Sequence, residues 1–229
     1  MAAGSDDVGM KHSRSEHIFQ AVFDQVIEIS LRWKLYLQLF DSGTDNVDLL
    51  NASGSLVFGL LQRLMLYDIA LAIARLTDPE ASGQGKYRNE NASLRSLISQ
   101  VRADFTDSDS EEVEKLLGRL DMCVKQIRLH RNKAQAHADL QLSVQGLPGI
   151  AYDDLESAIT TIQELMIITG RAAGHNIFHF DVIFPYGTDG RKLLETLRVA
   201  QRAQKEMSDE VRVSKSKATV QDGEPRKMS

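Results

Sequence analysis

Residues 107–137 read DSDSEEVEKLLGRLDMCVKQIRLHRNKAQAH, and this stretch settles the class of fold. The opening run Asp107-Ser108-Asp109-Ser110-Glu111-Glu112 offers several side chains able to cap a helix. It also places acids in the first turn, where they meet the positive end of the helix dipole. Val113, Leu116, Leu117, Leu120, Val124 and Ile127 then fall on one helical face, the signature of a helix that packs by one side. That helix leads directly into Arg131-Asn132-Lys133-Ala134-Gln135-Ala136-His137.

The same periodicity extends outward in both directions. Phe19, Val22, Phe23, Val26, Ile29, Trp33, Tyr36, Leu37 and Phe40 predict a helix from Ser15, ended by Asp41-Ser42-Gly43. A second helix runs from near Val47 through Leu56, Leu60, Leu64 and Leu71 to Leu76. Asp78-Pro79 stops it, because the residue before proline is driven out of the helical region. Residues 80–90 (EASGQGKYRNE) read as a loop, and a short third helix spans 92–105. Beyond the fourth helix, Gly146, Pro148 and Gly149 mark a turn or short hairpin within 140–152. Asp153 and Glu156 have capping-box spacing, opening a fifth helix with Leu155, Ile159, Ile162, Leu165, Met166 and Thr169. Residues 175–188 (HNIFHFDVIFPYGT) suggest a docked extended segment, and a last helix begins near Asp189 with Leu193, Leu194 and Leu197. The expectation is an all-α bundle of five or six helices over residues 15–207. The polar stretches 1–14 and 208–229 are expected to be disordered.

Composition agrees and narrows the function. Hydrophobic residues make up 42% of the 229 residues, while 4 prolines and 6% aromatics favour helices over strands. The net charge of −5 gives no overall positive field toward nucleic acid or anionic membrane, so an RNA site must be a local patch. The single cysteine, Cys123, excludes an internal disulfide and fits a reducing cytosol. Its place in an apolar helical pattern makes it a buried structural thiol. The N-terminal MAAGSDDVGMKHSRSEH lacks a signal-peptide core. Arg63, Asp68 and Arg75 interrupt the best apolar run before it reaches the roughly 18 residues of a membrane span. A cytoplasmic protein without a membrane partner is expected.

The candidate chemistry gathers at the end of the fourth helix. Arg119, Lys125, Arg128, Arg131 and Lys133 stand against one acid, Asp121. Lys125, Arg128 and Lys133 are candidate RNA-binding residues, the competing reading being an ordinary solvated face. Arg131 supplies a planar fork of donors suited to phosphate, and His137 a side chain that exchanges protons near neutral pH. Such a pair can cleave RNA without metal. Asn132 could cap a backbone group or orient a phosphate oxygen. Six residues of unbroken helix would set Arg131 and His137 about 120° apart around the axis. The helix bends there, Arg131 swings around, or a second chain completes the site; the composite site at a dimer interface is the favoured reading. Asp139 could steady the imidazole, though a solvated turn competes.

Other chemistries find less support. His130, His137 and Asp139, or His175 and His179, have ligand-like spacing, yet no paired histidine–carboxylate sets lie on successive helices. No metal or other cofactor is expected, and His175 and His179 read as structural. Gly83-Gln84-Gly85-Lys86 lacks both the spacing of a phosphate-binding loop and the strand before it. No nucleophile elbow occurs.

Arg131, Asn132 and His137 match the motif of the HEPN superfamily, arginine followed after four to six residues by histidine, commonly with a polar residue after the arginine. IALAIARLTDP (69–79), HRNKAQAHADL (130–140) and GTDGRKLL (187–194) followed by Leu197-Arg198 resemble the AbiU-type branch of that superfamily, named for a phage abortive-infection system. The likeness covers roughly Trp33 to Gln204. It implies a dimeric HEPN-like bundle with two facing motifs and metal-independent endoribonuclease activity. In that scheme Arg131, Asn132 and His137 are catalytic, RNA is the substrate, and the setting is phage defence or a toxin–antitoxin pair with an antitoxin or regulatory partner. The alternative is a HEPN-fold dimerisation or RNA- or protein-interaction module without catalysis, since fold alone does not fix function.

Overall fold

The computed structural model describes residues 5–130 and 151–221. Among these residues the chain is all-α, with six α-helices and one minimal hairpin. Helix α1 spans Ser5–Phe40 and α2 spans Thr44–Leu76. Strands β1 (Ala81–Ser82) and β2 (Asn89–Glu90) pair antiparallel. Helices α3 (Leu94–Val101), α4 (Asp107–His130), α5 (Tyr152–Ala172) and α6 (Gly190–Gln221) follow.

Two compact units divide the chain, where a single helical domain over 15–207 was anticipated. The first comprises residues 1–34 and 63–183. There α4 packs along α5, and α3 packs against α5 as well. The periodicity of 107–127 translates into burial: Val113, Leu116, Leu120, Val124 and Ile127 are all buried. Leu155, Ala158, Ile159, Ile162, Leu165 and Met166 form the buried face of α5, again at steps of three and four. Cys123 is half-buried, its sulfur 3.2 Å from Ser157 Oγ. The second unit comprises residues 35–62 and 184–229. Leu39, Leu49, Leu50 and Leu194 form its buried centre, with Phe40, Phe58 and Leu197 packed against them.

Helix starts depart from expectation in instructive ways. The cap of α4 is Thr106, one residue before the anticipated run: its Oγ1 accepts from Asp109 N at 3.1 Å, and Asp109 accepts from Thr106 N at 3.2 Å. This is a reciprocal capping arrangement. The Thr106 hydroxyl hydrogen bond, with help from Arg171, holds the Asp109 carboxyl below its ordinary value. A depressed carboxylate pKa stabilises the fold above the unfolded-state value near 3.8, and that contribution disappears as pH falls through the folded-state value. Thr106→Ala is expected to cost about 1 kcal/mol at neutral pH. The difference from wild type should shrink in thermal melts taken below about pH 4. At α5 the anticipated capping box is absent: Ala151 holds the cap position without a side-chain bond, and Asp153 and Asp154 sit in the first turn. They still complement the helix dipole there. Helix α6 begins near Asp189 as expected, and Asp189 caps it, accepting from Lys192 N at 3.1 Å.

Helix extents differ too. Helix α1 begins at Ser5 and α6 continues to Gln221, so the boundaries placed at 14 and 207 fall inside helices. Helix α3 is shorter than read, with a 3-10 turn over Arg102–Asp104. The turn or hairpin anticipated within 140–152 lies, up to residue 150, outside the described residues. Part of 175–183 docks as expected, since Lys34 Nζ bonds Asp181 at 2.7 Å and the Val182 carbonyl at 2.6 Å.

The largest surprise is α2. The leucines that marked it as a helix are not covered: Leu56 is 80% exposed and Leu64 55%, with Val57, Leu60 and Tyr67 exposed beside them. Thr44–Leu76 is also long and apolar enough to cross a membrane, with mean hydropathy 1.7 over 18 residues. That corrects the expectation that no segment reaches this length. Arg63 and Asp68 interrupt the apolar run but do not cancel its average.

Candidate nucleic-acid interface

Helix α4 ends beside the residues that follow α2. The Arg128 guanidinium donates to the Thr77 carbonyl, at the point where Asp78-Pro79 stops α2. The side chain therefore ties the C-terminal part of α4 to the end of α2, and it does so with a charge-assisted hydrogen bond. Arg128 also lines a cavity of about 730 Å3 together with Lys125, Arg95, Asp121, Leu129 and Pro79. Lys125 and Arg128 thus share one concave surface, in keeping with their three-residue spacing on a helix.

Arg95 was not foreseen. It comes from α3, thirty residues before Lys125, and its guanidinium lies 2.6 Å from Asp121. Charge spacing within the fourth helix could not reveal a cation delivered from another helix. The pairing also changes the meaning of Asp121: it holds Arg95 at the cavity instead of merely diluting the basic stripe.

Arg119 leaves that stripe altogether. Its Nε donates to Thr161 Oγ1 at 2.8 Å, and the guanidinium pairs with Glu164. Both partners are on α5, so Arg119 clamps the α4–α5 contact. Of the anticipated site residues, Lys125 and Arg128 are the ones whose geometry is described. Arg131, Asn132, Lys133 and His137 lie outside the described residues, as does Asp139.

The histidines weighed as metal ligands have other engagements where they are described. His175 stacks on Phe19 with ring centroids 3.7 Å apart and bonds Glu16 at 3.1 Å. His179 Nδ1 accepts from Asp181 N at 3.3 Å. Among the described residues, no three histidine, cysteine or carboxylate side chains are grouped so as to hold a metal ion.

A second cavity of about 640 Å3 adjoins the first, sharing Pro79 and Arg95 and continuing along the β1–β2 hairpin past Glu80 and Arg88. The hairpin occupies 81–90, which was read as a plain loop. Two-residue strands in a polar stretch leave no alternation to detect. Gly83, with φ +81°, turns the chain so tightly that a Cβ there would strike the Tyr87 carbonyl. Asn91 closes the base, its Nδ2 donating to the Pro79 carbonyl at 2.8 Å and its N to the Glu80 carbonyl at 2.8 Å.

Chemically, the surface offers donors suited to phosphate from α3 and α4, with Arg95 and Arg128 half-buried and Lys125 exposed. Arg131 follows Arg128 three residues later in the chain. The family model described as HEPN_AbiU2 (AbiU2) matches residues 15–189. No curated protein and no solved structure matches the chain.

Proposed function

The chain belongs to the AbiU2 family of HEPN proteins, and from that premise we propose that it is a metal-independent endoribonuclease of a phage-defence or toxin–antitoxin system. The observation that carries this reading is the Arg131-Asn132-x4-His137 set within the matched span, directly after the basic cavity of α4. His137 takes the 2'-hydroxyl proton, and the 2'-oxygen attacks phosphorus. Arg131 neutralises the phosphorane, and Asn132 orients it or Arg131. The bond from phosphorus to the 5'-oxygen breaks, and that oxygen gains a proton, so no net proton is consumed. The products are a 2',3'-cyclic phosphate and a 5'-hydroxyl. Lys125, Arg128 and Lys133 hold flanking phosphates, although Arg128 divides its donors between RNA and Thr77.

The active form is a homodimer that brings two motifs together, and an antitoxin or regulatory partner restrains it. The protein is placed in the cytoplasm. In α2, Arg63 and Asp68 would each cost about 2.5–3.5 kcal/mol at a bilayer centre, and Asp68 already pairs with Arg32 at 3.1 Å. A second reading, an interaction module without catalysis, draws on the exposed apolar stripe of α2, since large exposed apolar patches mark contact surfaces.

Incubating the purified protein with cellular RNA in EDTA separates the two. Fragments ending in cyclic phosphate support the ribonuclease. Intact RNA, with a partner protein still bound, supports the interaction module.

A further inference from the structure

We propose that the β1–β2 hairpin, together with Arg95, is an anchor for single-stranded RNA. The proposal rests on the ribonuclease reading and names the surface by which the substrate is gripped. Two independent observations on the hairpin lead to it.

The first is charge along an open groove. Arg88, Arg95, Lys125 and Arg128 line the two adjoining cavities against Glu80 and Asp121. On a chain of net charge −5 this is a local excess of cations along a continuous path, the arrangement that follows a phosphodiester backbone. The path is built rather than loose. Ser96 Oγ donates to the Asn91 carbonyl at 2.6 Å, and Ser93 caps α3 by accepting from Ser96 N at 3.3 Å. Both serines are buried, so the hairpin base and Arg95 are positioned together.

The second is an aromatic ring without a core to fill. Tyr87 is 71% exposed at the tip of the hairpin, with Lys86 Nζ 5.0 Å from its ring centroid. In Lys86-Tyr87-Arg88 an exposed ring is thus flanked in the chain by two cations, one of them standing over its face. Single-stranded nucleic acid is gripped by this combination: cations follow the phosphates while a base stacks on the ring. An acidic peptide would use the cations alone and leave the ring without a role. Duplex RNA offers no unstacked base, so the strand is single.

The test uses the full-length His137→Ala protein, which keeps RNA intact during titration, and a fluorescein-labelled single-stranded RNA. Tyr87→Ala is expected to weaken binding by about 5- to 150-fold, the range for loss of one stacked base, without altering the salt dependence. Tyr87→Phe should retain the parent affinity. Arg88→Ala and Arg95→Ala are expected to weaken binding by about 10-fold each and to flatten the slope of log K against log salt by about 0.7. Tyr87 and Arg88 are exposed, so the result does not depend on a buried contact, and Arg95→Lys controls for the loss of the Asp121 pair. If the parent binds RNA and these variants bind it equally well, the anchor is wrong while the ribonuclease reading stands. If the parent binds no RNA and the wild type cleaves none, the ribonuclease reading falls with it.

Discussion

Replacing His137 by alanine is expected to reduce RNA cleavage by roughly 100- to 10,000-fold, the span associated with losing a general acid–base group. Arg131→Ala should cost about 100- to 1,000-fold by removing the donor that meets the phosphorane charge. The more informative result comes from mixing the two inactive variants. In an unbroken helix the two side chains would stand about 120° apart, which favours a site assembled from two chains. Each mixed dimer then contains one intact site, with arginine from one subunit and histidine from the other, and one site lacking both. Random exchange between two-fold dimers makes half the population mixed, so about a quarter of wild-type activity should return. A site contained within one chain predicts no recovery. Light scattering at micromolar concentration gives the independent check, since a monomer would remove the composite site.

Helices were legible where a buried face obliged the sequence to repeat. Val113 to Ile127 and Leu155 to Met166 could be placed from spacing alone because the contact of α4 with α5 buries both stripes. The α2 stripe repeats as regularly, yet Leu56, Leu60 and Leu64 face outward. Periodicity reports that one side of a helix is apolar and says nothing of what covers it. Caps were less legible, because Thr106, Asp107, Ser108 and Asp109 can each play the part and only backbone geometry selects among them. The hairpin was hidden by its brevity. At the site, Lys125 and Arg128 could be grouped because they share a helix. Arg95 could not, because its approach depends on how α3 and α4 pack. Arg119 shows the opposite failure: it looked like a member of the basic stripe, and Thr161 and Glu164 on α5 claim it. Charge along one helix therefore marks where a cationic surface can form, and the neighbouring helices decide which cations remain on it.

Leu165→Ala is expected to cause the largest loss of stability, about 2–5 kcal/mol, against a typical total of about 5–15 kcal/mol. Leu165 has no exposed surface and belongs to the face by which α5 packs. Truncation removes apolar burial and leaves a void that a close-packed interior fills only in part. The thermal midpoint should fall by roughly 2–4 °C for each kcal/mol lost. Leu64→Ala supplies the contrast, because Leu64 is 55% exposed on α2 and the same truncation should stay within about 0.5 kcal/mol for an uncovered surface. If Leu64→Ala instead lowers the midpoint most at high protein concentration, mass action requires that a second chain covers that stripe. The Leu165→Ala loss should be the same at every concentration, since the contact it breaks lies within one chain. Below its midpoint the variant should retain wild-type cleavage per folded molecule, because Leu165 is fully buried and contributes no group to the proposed RNA surface.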